Sequence, residues 1–166
     1  NENEDIQPSK LIEVKPSNIL EKDWVELMAK LRGNNENYWF EVETNATLLP
    51  TQAFDALIDQ YNVSPKLENS GNPQKIREKA EVYQFFGQSP KAWFKFVIAA
   101  QTDLDEVLGL IDRYALAADK IYLMPEGTTP EQLKAKQPWL VEQCKKYGFN
   151  YTDRLHIHIY GSKRGV

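Results

Sequence analysis

The sequence predicts an α/β domain in which parallel strands alternate with amphipathic helices. Short segments rich in aromatic and β-branched residues alternate with segments whose apolar residues recur at helical spacing. Helix-start signals stand between these segments, and the clearest is at 129–132, with a threonine cap, proline at the first helical position and glutamine three residues after the cap. This alternation favours parallel strands joined by helical crossovers, as an open sheet or as part of a (β/α) barrel.

Five strands and five connecting or flanking helices can be placed in chain order. The strands are predicted at 38–43, 61–64, 93–98, 120–124 and 155–160. The helices are predicted to begin at Asp23, Pro50, Asn72, Asp103 and Thr129, with stops at Gly33, Gly87 and Gly148 for the first, third and fifth. Their inward faces are predicted to carry Trp24, Leu27, Met28 and Leu31, then Phe54, Leu57 and Ile58, then Ile76, Ala80 and Tyr83, then Leu104, Val107, Leu108 and Ile111, and lastly Leu133, Leu140, Cys144 and Tyr147.

Length and composition bound the domain organisation and the class of protein. The 166 residues suit one domain at 22–166, preceded by a tail or linker at 1–21 in which residues 11–14 form at most a short strand. The net charge of −4 gives no overall basic field for nucleic acid. No apolar run approaches the roughly 20 residues of a membrane helix. With one cysteine and no visible signal peptide, we expect a cytoplasmic protein.

The single cysteine, Cys144, excludes an intrachain disulfide and a cysteine-ligated cluster built from this chain alone. Its spacing relative to Leu140 and Tyr147 predicts a buried helical face, so we interpret it as a core residue and not as a reactive thiol.

Polar residues, glycine and proline gather where the predicted strands end. These segments are 43–47, 64–66, 124–128 and 161–166. Ligands of parallel α/β folds bind at the carboxyl ends of strands, so the segments form a candidate site, although the same residue types also make ordinary turns.

Three further features each allow a functional and a structural interpretation. His156 and His158 share one face of the predicted fifth strand, as a metal-binding pair or as plain strand residues. Lys95 is predicted to face away from its aromatic neighbours and either to meet a carboxylate or to line the barrel. Glu41 and Glu43 share a strand face, most simply as a polar lining.

A set of segments in this order and spacing resembles a known family. The segments are 40–47 (FEVETNAT), 63–67 (VSPKL) with 70–72 (SGN), 94–97 (FKFV), 122–127 (YLMPEG), 154–156 (RLH) and 161–166 (GSKRGV). Together they resemble the C-terminal portion of 7-carboxy-7-deazaguanine synthase, a radical S-adenosylmethionine (SAM) enzyme of queuosine and deazapurine biosynthesis. The resemblance covers residues 22–166.

The resemblance implies a partial, TIM-like (β/α) barrel, usually a homodimer. It implies ring contraction of 6-carboxy-5,6,7,8-tetrahydropterin to 7-carboxy-7-deazaguanine with loss of ammonia, using SAM, a [4Fe–4S] cluster and Mg²⁺. It assigns no catalytic residue in this chain. By the same resemblance, SAM is contacted by Thr44 and Asn45, by Ser64, Pro65 and Lys66, and on its adenine side by Met124, Pro125, Glu126 and Gly127. The chain end at Val166 closes over the pterin substrate.

The sequence also departs from the family pattern. The family's three closely spaced cysteines, its Gly-Gly-Glu-Pro segment and its Mg²⁺-binding threonine are absent, and Ala46 stands where the family usually has glycine. We therefore expect an N-terminal segment or a second chain to cover the open barrel edge. The alternatives are a non-catalytic relative that binds SAM, a pterin or a purine, and an α/β binding or interaction domain unrelated to this family.

Overall fold

The computed structural model describes residues 21–34 and 38–163. Its helices and strands are α1 (Glu21–Gly33), β1 (Glu41–Thr44), α2 (Gln52–Asp55), β2 (Gln60–Val63), α3 (Gln74–Arg77), α4 (Ala80–Gln88), β3 (Ala92–Ile98), α5 (Gln101–Tyr114), β4 (Ile121–Pro125), α6 (Pro130–Tyr147), β5 (Asn150–Tyr151) and α7 (Leu155–Tyr160). Two 3₁₀ turns occupy Glu68–Ser70 and Ala118–Lys120. The residues predicted as a tail lie outside the described part of the chain, except Glu21, which begins α1.

The five strands form one parallel sheet in the order β1-β2-β3-β4-β5. This confirms the α/β class with parallel strands. The sheet is not closed, because β1 and β5 lie at opposite edges, and this is consistent with a partial TIM-like barrel. Because all strands run the same way, their carboxyl ends meet at one edge of the sheet.

One face of the sheet is the core. Alternate residues of β2, β3 and β4 point into it, and all are at most 2 % exposed: Tyr61, Val63, Ala92, Phe94, Phe96, Ile98, Ile121 and Leu123. Helices α4, α5 and α6 supply the facing side chains. Tyr83 of α4 stacks on Phe94, and Phe86 meets Tyr61 edge to face. This burial of aromatic and aliphatic surface stabilises the domain and fixes the strand register.

The other face of the sheet is polar and half-open, and is called the open face below. It carries Glu41 and Glu43 from β1, Gln60 and Asn62 from β2, Trp93, Lys95 and Val97 from β3, and Tyr122 and Met124 from β4. All are exposed or half-buried, whereas their chain neighbours in β2, β3 and β4 are buried. In a closed barrel this face would line the interior, so a partial barrel leaves it accessible.

The start of α6 confirms the clearest local signal in the sequence. The Thr129 hydroxyl oxygen accepts from the Gln132 amide at 3.3 Å, and Pro130 is the first helical residue. Gly148 ends the helix in the left-handed region, at φ 73°. Leu133, Leu140 and Cys144 lie on its buried face, as predicted.

The predicted fifth strand at 155–160 is wrong, because this segment is the helix α7. The chain pairs with β4 only through Asn150 and Tyr151, five residues earlier, and Thr152 makes the last backbone bond to Leu123. The alternation of LHIHIY resembled a half-buried strand, yet only Ile157 is buried. His156 and His158 therefore do not share a face. Residues two apart on a helix are related by a rotation of about 200° about its axis, so they lie on nearly opposite sides.

The single helix predicted from Asn72 to Gly87 is also wrong, because the structure has two. Glu78 and Lys79 adopt extended backbone between α3 and α4. Tyr83 is buried as predicted, but Ile76 is 51 % exposed and Ala80 is also exposed. The break follows from long-range ion pairs, described below, that turn Arg77 and Glu78 toward α5.

Two predicted helix caps differ in detail. Asp23 lies inside α1, whose Leu27 is 44 % exposed and not inward. Asp103 is the third residue of α5 and not its cap, but its carboxylate still accepts from the Ala99 and Ala100 amides at 2.7 and 3.0 Å. Within the described part of the chain, no helix has the length and apolarity needed to cross a membrane.

Candidate functional site

The segments that leave β1 and β2 lie side by side at the carboxyl edge of the sheet. The Ser64 amide donates to the Thr44 carbonyl at 2.7 Å, which extends the ladder one residue beyond β2. On the other side of β3, the Glu126 amide donates to the Ile98 carbonyl at 2.9 Å. The predicted segments after β1 and β2 therefore adjoin each other. The predicted segment after β4 adjoins the end of β3, which lies next to β2.

A tight turn follows β1 at Thr44, Asn45 and Ala46. The Thr44 hydroxyl oxygen accepts from the Ala46 amide at 3.3 Å, and the Asn45 side-chain oxygen accepts from the Thr47 hydroxyl at 2.6 Å. Ala46 is fully buried and has φ 60°, in the left-handed region that glycine adopts most easily. Asn45 is exposed at the tip of the turn, where its amide is accessible to a ligand.

The turn after β2 presents a cation. Pro65 and Leu67 are buried and anchor the backbone, Ser64 is half-buried, and Lys66 between the two anchors is exposed. The ammonium group of Lys66 has no carboxylate partner among residues 21–34 and 38–163, whereas Lys91, Lys95 and Lys136 are all paired. An exposed cation beside hydroxyl and amide groups is suited to bind the carboxylate of a polar ligand.

The segment after β4 combines packing residues with an ion pair. Met124 lies on the open face, Pro125 is buried, and the Glu126 carboxylate is 2.8 Å from the Lys136 ammonium of α6. Gly127 is buried, and a Cβ there would lie 2.8 Å from a methyl group of Leu133. Its carbonyl accepts from the Arg154 guanidinium at 2.7 Å. Val166, the predicted substrate contact, lies outside the described residues.

Charged groups on the open face lie close to these strand ends. The Lys95 ammonium is 3.5 Å from a carboxylate oxygen of Glu43, across the intervening strand β2. Lys95 therefore points away from Phe94 and Phe96, as predicted. Of the two interpretations of this residue, the structure supports the one in which it meets a carboxylate. The Glu41 carboxylate accepts from the Gln60 and Asn62 amides, each at 2.6 Å, and so forms a polar lining.

Part of the open face is filled by aromatic packing. The Lys120 ammonium lies 3.7 Å from the centroid of the Trp93 ring, which meets Tyr122 edge to face at 5.8 Å. The Lys120 ammonium also donates to the Pro90 carbonyl at 3.0 Å. Trp93 and Tyr122 therefore have a structural role, and the polar groups of the open face lie on β1, on β2 and at Lys95 of β3.

A second polar cluster, which sequence reasoning missed, lies between α6 and α7. The Asp153 carboxylate accepts from the Gln137 amide at 2.6 Å and is 3.0 Å from the His158 ring nitrogen. Burial and the nearby Asp153 carboxylate raise the pKa of Tyr151 to about 12. No signal in the sequence points to this cluster, because its assembly depends on 155–160 being helical.

Cys144 is a core residue, as predicted. It is 4 % exposed, its thiol donates to the Asn150 carbonyl at 3.4 Å, and burial raises its pKa to about 11. A thiol with such a pKa stays protonated at neutral pH and is a poor metal ligand. Among the described residues, no three His, Cys, Asp or Glu side chains are placed to hold a metal ion.

Comparison with known proteins gives a consistent result. No protein-family model matches the chain. It is 38 % identical over 125 residues to a 7-carboxy-7-deazaguanine synthase of Pyrobaculum aerophilum, a match covering 75 % of this chain and 54 % of that protein. Proteins of the same name match from Rhodopirellula baltica, at 30 % identity over 89 % of this chain and 60 % of the relative, and from Halobacterium salinarum, at 28 % over 86 % and 61 %.

The chain is a homologue of the 7-carboxy-7-deazaguanine synthases. This confirms the resemblance inferred from the motifs at the strand ends. The chain spans between about half and three fifths of the length of these synthases, with 54 %, 60 % and 61 % covered.

Proposed function

We propose that this chain supplies the SAM-facing and substrate-facing strand ends of a 7-carboxy-7-deazaguanine synthase, a radical SAM carbon–nitrogen lyase. The proposed reaction contracts 6-carboxy-5,6,7,8-tetrahydropterin to 7-carboxy-7-deazaguanine with loss of ammonia, as a cytoplasmic step of queuosine or deazapurine biosynthesis. One observation carries the proposal. The family-like segments after β1, β2 and β4 occupy the carboxyl edge of one parallel sheet, where such folds bind ligands.

The donor groups at this edge fit SAM. We assign the exposed ammonium of Lys66 to the SAM carboxylate, and the hydroxyls of Thr44 and Ser64 and the amide of Asn45 to its other polar groups. Met124 and the backbone of Pro125, Glu126 and Gly127 offer a partly apolar edge for adenine. When bound, SAM supplies the radical that abstracts a hydrogen from the substrate.

The open face is the proposed wall for the pterin. A pterin carries a carboxylate and several ring hydrogen-bonding groups, and Lys95 and Asn62 offer complementary donors. The Glu43 carboxylate, 76 % exposed, holds the Lys95 ammonium toward this face. Val166 is a further proposed contact with the substrate.

The residues of this chain do not fit a [4Fe–4S] cluster. A cluster of this kind needs at least three thiolates, and the sequence has one cysteine, which is buried as a thiol. In the proposed enzyme the ligands of the cluster and of Mg²⁺ come from residues other than these 166. A further segment or a second copy of the chain would also cover the outer edge of β1, where a parallel strand offers unpaired backbone groups.

The single buried cysteine favours a second candidate, a non-catalytic relative that binds SAM, a pterin or a purine at the same strand ends. The two candidates differ in whether the native protein binds a cluster.

The decisive test uses the intact native protein. Its mass is measured first, and iron and sulfide are then supplied under anaerobic conditions. The protein is next incubated with 6-carboxy-5,6,7,8-tetrahydropterin, SAM, Mg²⁺ and a reductant, and the products are analysed by mass spectrometry. Formation of 7-carboxy-7-deazaguanine supports the synthase. Binding of SAM, the pterin or a purine without a bound cluster or product supports the binding protein, and the absence of a cluster together with no binding of any of these three ligands contradicts both candidates.

A further inference from the structure

The segment that follows the Ser64–Lys66 turn is tied to the body of the domain at both ends. It runs from Leu67, which is 2 % exposed, through the 3₁₀ turn Glu68–Ser70 to α3. The Asn69 side-chain amide donates to the Val97 carbonyl of β3 at 3.4 Å. In the part of the chain that the structure describes, its other side-chain hydrogen bonds to the rest of the domain are made to Glu106 of α5.

The Glu106 carboxylate joins the two ends of this segment. One of its oxygens accepts from the Glu68 amide at 2.8 Å, two residues after Lys66. The other oxygen pairs with the Arg77 guanidinium, whose Nε in turn donates to the Asn72 carbonyl at 3.2 Å. The two side chains are only 9 % and 21 % exposed, for Arg77 and Glu106 respectively. Removing either partner of such a shielded pair leaves a charge without its counterion, which is destabilising.

A shallow groove of about 630 Å³ lies along this segment, lined by Glu68, Gly71, Asn72, Pro73, Gln74, Arg77 and Glu106. Arg77 and Glu106 are the most shielded long charged side chains in this groove, and they form an ion pair with each other. The groove therefore offers a bound ligand no unpaired guanidinium, and we assign the pair to holding the backbone.

We propose that Arg77 and Glu106 are positioning residues that hold the Ser64–Lys66 turn in its ligand-binding conformation. Neither touches the ligand. By fixing the amide of Glu68, Glu106 removes the backbone freedom that the turn would otherwise lose on binding, so the affinity for SAM rises. The inference rests on the proposed function, since it takes SAM as the ligand of Lys66.

A second ion pair between α5 and the residue that follows α3 provides a matched control for the Arg77–Glu106 pair. Glu78, the residue after Arg77, is bound by the Arg113 guanidinium and the Tyr114 hydroxyl, both near the end of α5. This second ion pair also joins the α3–α4 junction to α5. Within the described part of the chain, the hydrogen bonds of Glu78 and Arg113 do not reach residues 64–72. Breaking it therefore loosens the same interface without releasing the turn.

The test compares Glu106→Gln and Arg77→Met with the control Arg113→Met in the intact protein. SAM dissociation constants are measured by calorimetry, and amide hydrogen exchange is followed across residues 66–72. We expect Glu106→Gln and Arg77→Met to raise the SAM dissociation constant about tenfold, which corresponds to about 1.4 kcal/mol, and to speed exchange at Glu68 and its neighbours. Arg77→Lys, which keeps the charge facing Glu106, should recover part of both effects. Arg113→Met should change neither.

Each other outcome overturns a distinct part. Unchanged exchange in Glu106→Gln means that the pair does not hold the segment. Faster exchange with an unchanged dissociation constant means that holding it does not serve binding. Equal weakening by Arg113→Met means a general effect of stability. If the wild-type protein fails to bind SAM, the proposed function fails and the ligand-positioning role with it, while the exchange data still decide whether the pair orders the segment.

Discussion

Gly127 has a packing reason to be glycine that is independent of any ligand. It is buried where the chain turns from β4 into α6, and a Cβ would lie 2.8 Å from a Leu133 methyl and 3.2 Å from the Gln132 Cβ. Leu133 is fully buried, so it has little room to move. Gly127 therefore allows α6 to pack closely against the strand ends, whether or not a ligand binds there.

Gly127→Ala should lower the free energy of unfolding by about 1–3 kcal/mol, the usual cost of overpacking a buried site. Gly109→Ala, inside α5, is the matched control. A Cβ at Gly109 meets nothing within 4 Å, so alanine should stabilise the protein by about 0.5–1 kcal/mol through helix propensity. Urea denaturation measures both changes. Equal stability of the two variants would show that the β4–α6 turn has room for a side chain.

At the scale of elements, the sequence predicted those helix ends that are determined by residues within the helix or next to it. The cap, proline and glycine of α6 lie within the helix or next to it, and the structure has all three in their predicted roles. Three of the four candidate strand ends, at 43–47, 64–66 and 124–128, were also predictable, because parallel strands place their carboxyl ends at one edge whatever the details of packing. The fourth, at 161–166, was wrong as a strand end, because the segment before it is the helix α7.

Elements that depend on distant partners were not predictable in the same way. The break between α3 and α4 follows from ion pairs of Arg77 and Glu78 with residues 29 and 35 positions away. Helix α7 shows the same limit, since its alternating apolar residues suit a strand but the described chain makes no backbone bond to β4 beyond Thr152. The Lys95–Glu43 pair joins residues 52 apart, so the sequence predicted only that Lys95 faces away from its aromatic neighbours and that Glu43 shares a strand face with Glu41.

Helix α5 depends on one carboxylate at its start. Asp103, 5 % exposed, accepts from the Ala99 and Ala100 amides, which have no partner within the helix. Asp103→Ala should therefore cost about 1–2 kcal/mol of stability, measured by urea denaturation. Asp105→Ala is the control. It removes an exposed carboxylate that, among the described residues, accepts a hydrogen bond from Gln101 alone, and it should cost less than about 0.5 kcal/mol. Similar losses in both variants would contradict the capping role.

At the scale of the whole molecule, the two faces of the sheet differ in role, since one holds the packed core and the other belongs to the proposed binding site. The helix-covered face holds the aromatic and aliphatic core, whereas the open face and the carboxyl edge hold the accessible polar groups. The chain corresponds to little more than half of its synthase relatives, and its one cysteine is a core thiol. The division of labour we propose therefore gives this chain the binding edge and gives the cluster ligands to other residues.

Lys66 is the residue on which this division depends most directly, because it is the exposed cation at the proposed SAM edge. Replacing it with methionine should remove a charge-assisted contact of about 1.5–3 kcal/mol, so the SAM dissociation constant should rise at least about tenfold. The fold should be unaffected, since surface substitutions usually change stability by no more than about 0.5 kcal/mol. Lys134→Met, exposed on α6, removes the same charge elsewhere and serves as the control.

The most direct measurement is a calorimetric titration of SAM into the intact wild-type protein, Lys66→Met and Lys134→Met, with urea denaturation confirming that all three are folded. The account predicts saturable binding by the wild type and by Lys134→Met, and binding at least about tenfold weaker by Lys66→Met. No binding by the wild type, or equal affinities for all three proteins, would contradict a SAM site at these strand ends.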